Sequence, residues 1–209
     1  MNKQMIRDSL ILFAITLIAG LLLGGVYEIT KNPIAKTQED KKNEAYQAVF
    51  TDAAEFTEVT DAADAQQILA DAGYTKDRID EVKAAMDADG NILGYVMTIT
   101  SSEAYGGELQ LAMGIRMDGT VNGISFLSLS ETIGLGMEAK KPEFQEQFAE
   151  KQVEQFVYSK TGAAADNEID ALSGATITTN AVTNAVNAGI CYAGSLGAGS
   201  AEQGGDTDE

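Results

Sequence analysis

The run Val82-Lys83-Ala84-Ala85-Met86, Asp87-Ala88-Asp89-Gly90-Asn91, Ile92-Leu93-Gly94-Tyr95-Val96-Met97-Thr98-Ile99-Thr100 decides the fold. Two stretches of apolar and β-branched residues flank an Asp-Gly pair, which suits the positive φ of a tight hairpin turn. Strands are predicted over Val82–Met86 and Ile92–Thr100. The pattern returns at Leu109–Met117, Asp118-Gly119 and Val121–Leu127, giving four strands in antiparallel hairpins. Pro142 then stands where a first helical turn would begin, with Phe144 and Phe148 on one face. A last helix is predicted from about Thr178 to Ala193. Its Val182, Val186 and Gly189 fall on one side, and Asn180, Asn184 and Asn187 on another. Runs of strands followed by helices place the domain in the α+β class, an antiparallel sheet flanked by helices.

Ahead of the sheet, Ser9–Tyr27 carries no formal charge and is rich in Leu, Ile, Ala and Gly. At about 1.5 Å per residue it just spans a bilayer core of roughly 30 Å, so an N-terminal transmembrane helix is expected. A cleaved signal peptide is the competing reading, but no small-x-small site follows the apolar run, nor any cysteine for lipid attachment. Charge does not set the orientation. Lys3 and Arg7 precede the segment, whereas Lys31, Lys36, Lys41 and Lys42 follow it. Thr37 to about Phe50 reads as a polar helical stalk, and Thr51–Asp80 as short helices and loops.

Composition removes whole classes of function. With 32 acidic against 14 basic residues, the net charge of −18 argues against a nucleic-acid binder, which needs clustered Lys and Arg. There is no His, so a Ser/His/Asp triad and histidine metal ligation are both out. The one cysteine, Cys191, cannot hold an iron–sulfur cluster or form an internal disulfide. Redox chemistry would have to come from a cofactor without cysteine ligands. No metal site and no catalytic side chain is expected.

The segment Asp170-Ala171-Leu172-Ser173-Gly174-Ala175-Thr176 sits just before the last helix. It reads as a short strand, a tight Ser-Gly turn, small residues and a helix start. Small residues let a ligand approach the backbone closely. A helix N-terminus offers free N–H groups and the positive end of its dipole, which suits a phosphate. Hydroxyls at Ser173, Thr176, Thr178 and Thr179 can cap that helix or contact the phosphate. A plain Ser/Thr-capped helix satisfies the same local pattern.

Asp-x-x-Ser-Gly-Ala-Thr resembles the attachment signature of covalent FMN-binding domains. In that family a flavin transferase takes FAD and joins the FMN phosphate to the hydroxyl of the final Thr. Position by position, that residue is Thr176, with Asp170, Ser173, Gly174 and Ala175 completing the signature. A second block, Ser130-Glu131-Thr132-Ile133-Gly134-Leu135-Gly136 followed by Pro142-Glu143-Phe144 and Phe148, resembles the family's Glu-Thr-Pro-Gly-Leu-Gly segment. It implies that Glu131, Thr132, Gly134, Leu135 and Gly136 lie beside the flavin. Tyr105-Gly106-Gly107 and the Asp118-Gly119 hairpin also look like family features. Ile133 departs from the family's Pro, and no His precedes Glu131. The resemblance covers roughly Lys83 to Ala193, plus the anchor.

The whole arrangement resembles the G subunits of the Rnf electron-transport complex. That resemblance implies an electron relay through covalent FMN in ferredoxin:NAD oxidoreduction, coupled to sodium or proton transport, with no substrate site of its own. Other membrane and iron–sulfur subunits of the complex, and a flavin transferase during maturation, are the implied partners. The FMN domain is then expected on the outer face of the cytoplasmic membrane. The expected division is an anchor over 1–30, a helical stalk and connecting segment over 31–80, the covalent FMN-binding domain over 81–196 and a disordered acidic tail over 197–209. Three alternatives stay open on sequence alone. They are the C subunit of the sodium-translocating NADH:quinone reductase, a stand-alone extracellular FMN-dependent reductase, and a surface-anchored binding domain without cofactor.

Overall fold

A computed structural model describes residues 3–59 and 64–199. The chain divides into two compact units, Met1–Lys41 and Lys42–Glu209. The first is formed by most of helix α1 (Lys3–Val49), which is long and apolar enough to cross a membrane. Leu10, Leu12, Phe13, Leu21, Leu22 and Leu23 all face outward from it. Thr16 donates its hydroxyl to the carbonyls of Leu12 and Phe13, so even this polar side chain is satisfied within the helix.

In the second unit an antiparallel sheet runs in sequence order. It comprises β1 (Glu55–Glu58), β2 (Asp77–Met86), β3 (Ile92–Ser101), β4 (Leu109–Arg116), β5 (Thr120–Ser128) and β6 (Lys151–Gln152). The central register pairs Val96 with Gly114 and Met97 with Met113. Both hairpin turns place glycine at positive φ, Gly90 at 85° and Gly119 at 87°. Asp87 closes the first by accepting the N–H groups of Asp89 and Asn91. The four hairpin strands follow the sequence pattern closely. The sheet nevertheless begins earlier than expected, because β2 starts at Asp77 rather than Val82. A short edge strand, β1, pairs with β2 within a segment read as helices and loops.

Both faces of the sheet are covered. One face packs against helix α4 (Thr176–Ser195), whose Ala181, Val182, Ala185, Val186 and Ala188 meet Val82, Met97, Ile99, Leu111 and Met113. The other packs against Ala45, Tyr46, Val49 and Phe50, which meet Ala85, Val96 and Ala112. A methyl group on Gly114 would lie 2.6 Å from the Val49 carbonyl, so backbone meets backbone there. The Tyr46 hydroxyl lies 2.6 Å from that of Thr98, and Lys42 pairs with Glu81. Each large apolar side chain fully buried in these layers contributes roughly 1.5–3 kcal/mol.

Between β5 and α4 the chain forms a 3₁₀ turn over Gly136–Lys140 and helix α3 (Pro142–Gln145), with Pro142 in its first turn. Phe144, Phe148 and Phe156 stack edge to face. Strands β7 (Val157–Ser159) and β8 (Glu168–Asp170) then form a separate parallel pair. Helix α2 (Ala65–Asp71) packs Leu69 into the main core. At the C-terminal end, the Gly199 N–H donates to the Met117 carbonyl. The rest of the acidic tail lies outside the described residues.

Candidate functional site

The segment leading into α4 is fixed mostly by its own backbone. The N–H of Ala171 donates to the Ser159 carbonyl at 2.8 Å, which extends the β7–β8 pairing. Asp170 accepts the N–H of Ala163 at 2.6 Å, so its carboxylate closes a loop. Ala175 donates its N–H to the Leu172 carbonyl across a tight turn, in which Gly174 takes φ 73°. Only a residue without Cβ adopts that conformation freely.

Helix α4 begins at Thr176, two residues earlier than the sequence pattern indicates. Its N-cap is Ala175, and no side chain caps it. The amides of Thr176, Ile177 and Thr178 therefore start a helix with no carbonyl one turn behind them. The neighbouring hydroxyls sort by environment. Thr179 is fully buried, accepting from the Leu172 N–H and donating to the Ala175 carbonyl. Thr178 is buried, 1% exposed. Ser173 is exposed but lines a different hollow, with Gly134, Gln147 and Asp170. Thr176 is the half-buried hydroxyl in the first turn of the helix, open to a cleft.

That cleft encloses about 610 Å³ and is lined by Tyr105, Glu131, Thr132, Leu135, Gly136, Gly174, Ala175, Thr176, Ile177 and Thr178. Two segments far apart in sequence thus meet, the loop after β5 and the start of α4. Their fit is close. A methyl on Gly136 would fall 2.7 Å from both Glu131 Oε2 and Thr178 Oγ1, and one on Gly174 would fall 3.0 Å from Leu135 Cδ2. Tyr105, Leu135 and Ile177 are exposed at 73%, 41% and 55%, an apolar rim around the opening. Glu131 is the one carboxylate on the wall.

Nine of the sequence-selected residues share this cleft. Asp170, Ser173 and Gly134 instead line the neighbouring hollow, and Thr179 points into the core. Ile177 is a lining residue that the sequence motif did not single out. Its signal is an apolar residue among three hydroxyls, at a position where an amphipathic helix would turn outward. Asp77, which lines neither the cleft nor the hollow, is a buried carboxyl that the sequence motifs also left out. It is 2% exposed, and its Oδ1 has no hydrogen-bond partner. Burial pushes its carboxyl up to about 6; a hydrogen bond from Ser101 opposes the shift and nearby Glu103 adds to it. Among the described residues no cluster of acids and cysteine has the makings of a metal site.

Comparison with known proteins sharpens the assignment. Residues 104–190 match the FMN-binding domain and residues 1–49 the RnfG N-terminal region. The G subunit of the Na(+)-translocating ferredoxin:NAD(+) oxidoreductase complex of Acetobacterium woodii is 32% identical, covering 90% of this chain and 91% of that one. The G subunit of the ion-translocating oxidoreductase complex of Methanosarcina acetivorans is 30% identical, covering 91% and 95%. Among solved structures, Shewanella oneidensis NqrC aligns with a TM-score of 0.45 at 19% identity, over 66% of this chain and 65% of that one. Identity at this level along nearly the whole length shows that the chain belongs to the family of Rnf complex G subunits.

Proposed function

We propose that this protein is a membrane-anchored electron-transfer flavoprotein of an Rnf complex, carrying FMN as a phosphoester on Thr176. The observation that carries the attachment is the position of the Thr176 hydroxyl. It is half-buried, at an uncapped helix N-terminus, and opens to a cleft of a size that suits a small organic ligand.

The residues present fit that group. Free amides at the start of α4 suit a phosphate. Tyr105, Leu135 and Ile177 offer apolar surface for a flat ring system, and the absence of a side chain on Gly136 lets Glu131 and Thr178 pack closely against the loop. When bound, FMN supplies one- or two-electron redox chemistry that no side chain here can perform. The chain's own part is to place and shield. Thr176 supplies the oxygen, Gly174 and Ala175 let the turn pass close to the phosphate, and the Glu131–Gly136 loop walls the cleft.

The relatives are named as ion-translocating oxidoreductase subunits, which supports a place among the other membrane and iron–sulfur subunits of such a complex. On this reading the electrons pass between ferredoxin and NAD, with sodium or protons as the coupled ion. The domain lies outside the cytoplasmic membrane, and a flavin transferase completes it there.

The test is Thr176→Val, which keeps the side chain's shape and removes the oxygen. The protein is coexpressed with a flavin transferase and exported. Wild type should show in-gel flavin fluorescence under denaturing conditions, with the mass of FMN less water on the peptide containing Thr176. The variant should fold and lose both signals. A full fluorescent label on Thr176→Val would overturn the attachment site.

A further inference from the structure

Thr176 and Ile177 form a ridge between two clefts. Beyond the one walled by Glu131 lies a second, of about 440 Å³, lined by Lys76, Ser102, Glu103, Tyr158 and Asn180 together with the ridge itself. The two differ in charge. The first presents a carboxylate, Glu131, and no cation. The second also holds a carboxylate, Glu103, but adds an ammonium group, Lys76, which has neither an ion-pair nor a hydrogen-bond partner among the described residues. Lys42, Lys83, Lys141 and Lys151 each pair with a carboxylate instead.

Lys76 is held in place by its backbone. Its carbonyl accepts both the N–H and the hydroxyl of Ser102, at 3.0 and 3.1 Å, which fastens the start of β2 to the end of β3. Asn180 is one turn along α4 from Thr176 and shares its face. Glu103 also lines this cleft, but its Oε2 accepts a firm hydrogen bond from Asn184 at 2.7 Å. The Asn180 amide reaches the same oxygen only at 3.5 Å, so it can turn towards a better acceptor at little cost.

We infer that Lys76 is the counter-ion, and Asn180 a hydrogen-bond donor, for the phosphate carried on Thr176. The inference rests on the proposed attachment at that residue. A phosphodiester keeps one negative charge, and of the two clefts beside Thr176 only the second offers it a cation. Lys serves as a point charge for phosphate without needing a fixed fork geometry.

The test uses the full-length protein, flavinylated in cells and purified in detergent. A limiting amine-acylating reagent is followed peptide by peptide by mass spectrometry, in wild type and in Thr176→Val. Lys160, which is exposed and outside both clefts, is the control. Lys76 should react at least threefold more slowly in the flavin-bearing protein, with Lys160 unchanged. In parallel, the phosphorus NMR resonance of the flavin phosphodiester should move in Lys76→Gln and in Asn180→Ala. It should return towards wild type in Lys76→Arg and stay put in Lys160→Gln. Equal Lys76 reactivity with and without flavin, together with a resonance indifferent to Lys76→Gln, would overturn the inference while the flavin mass on the Thr176 peptide left the attachment standing. Flavin on another peptide would overturn both.

Discussion

Glu131 Oε1 accepts the backbone N–H of Gly106 at 3.2 Å, joining the loop after β5 to the turn before β4 at the wall of the candidate flavin cleft. The contact is tight from both sides, since a methyl on Gly106 would lie 1.7 Å from the Ser130 carbonyl oxygen. Glu131→Ala should leave that amide without its acceptor and loosen the wall. A hydrogen bond to a charged group contributes about 1.5–3 kcal/mol, less where water competes. We expect a lowered thermal midpoint and a shifted flavin absorption band, whereas Glu131→Gln retains an acceptor and should stay close to wild type. If Glu131→Ala matched wild type in both measurements, this carboxylate would have no part in the wall.

Gly134 offers a different kind of test. Its φ is 78° and a Cβ there would meet nothing within 4 Å, so a substitution acts through backbone strain alone. The left-handed conformation costs a residue other than glycine roughly 1–2 kcal/mol. Gly134→Val should therefore displace the loop and alter the flavin spectrum or midpoint potential, with the covalent label retained. An unchanged spectrum and potential would return this loop to a purely structural role.

Topology can be read directly. The apolar part of α1 and the match to the RnfG N-terminal region fit a single-pass anchor. Protease added to intact cells stripped of any outer barrier should degrade the domain after residue 37, while a cytoplasmic control survives. Complete protection of the domain would reverse the proposed orientation.

Asp77 gives the folded domain a pH dependence of unusual sign for a carboxyl. Its folded value is raised from 3.8 to about 6, chiefly by burial. The native state therefore favours the protonated form. That stabilisation is fully present below about pH 4 and is lost as pH rises through 6. At about 1.4 kcal/mol per unit the loss is at most about 3 kcal/mol by pH 7. Asp77→Asn should be the more stable protein at pH 7, by about 1–3 kcal/mol in denaturant unfolding, and equal to wild type near pH 4. A variant less stable than wild type at pH 7 would mean that the Ser101 hydrogen bond to the carboxylate outweighs the cost of burying its charge.

The hairpins were legible because strand alternation and Asp-Gly turns are local signals. β1 was not. Glu55-Phe56-Thr57-Glu58 has a single apolar residue and becomes a strand only because β2 offers it an edge. The three-residue strands β7 and β8 are likewise defined by each other. Residues up to Phe50 looked like an exposed polar stalk, yet Ala45, Tyr46, Val49 and Phe50 cover one face of the sheet. A few apolar residues spaced along one helical face are easily masked by charged neighbours. At the site, the motif around Thr176 was readable in one stretch. Lys76, about a hundred residues away, shares a cleft with it only because α4 packs across the sheet that β2 and β3 form.

The alanine at the N-cap of α4 has a consequence for the life of the protein. Ser, Thr, Asp or Asn in its place would stabilise the helix by about 0.5–2 kcal/mol. With Ala175 there, the helix end stays unfinished until an anion arrives, and the proposed phosphoester is what completes it. If Thr176 carries the flavin as proposed, the chain without it is expected to be the softer of the two forms. On that proposal, limited proteolysis near the start of α4 should be faster in the flavin-free chain than in the flavinylated one.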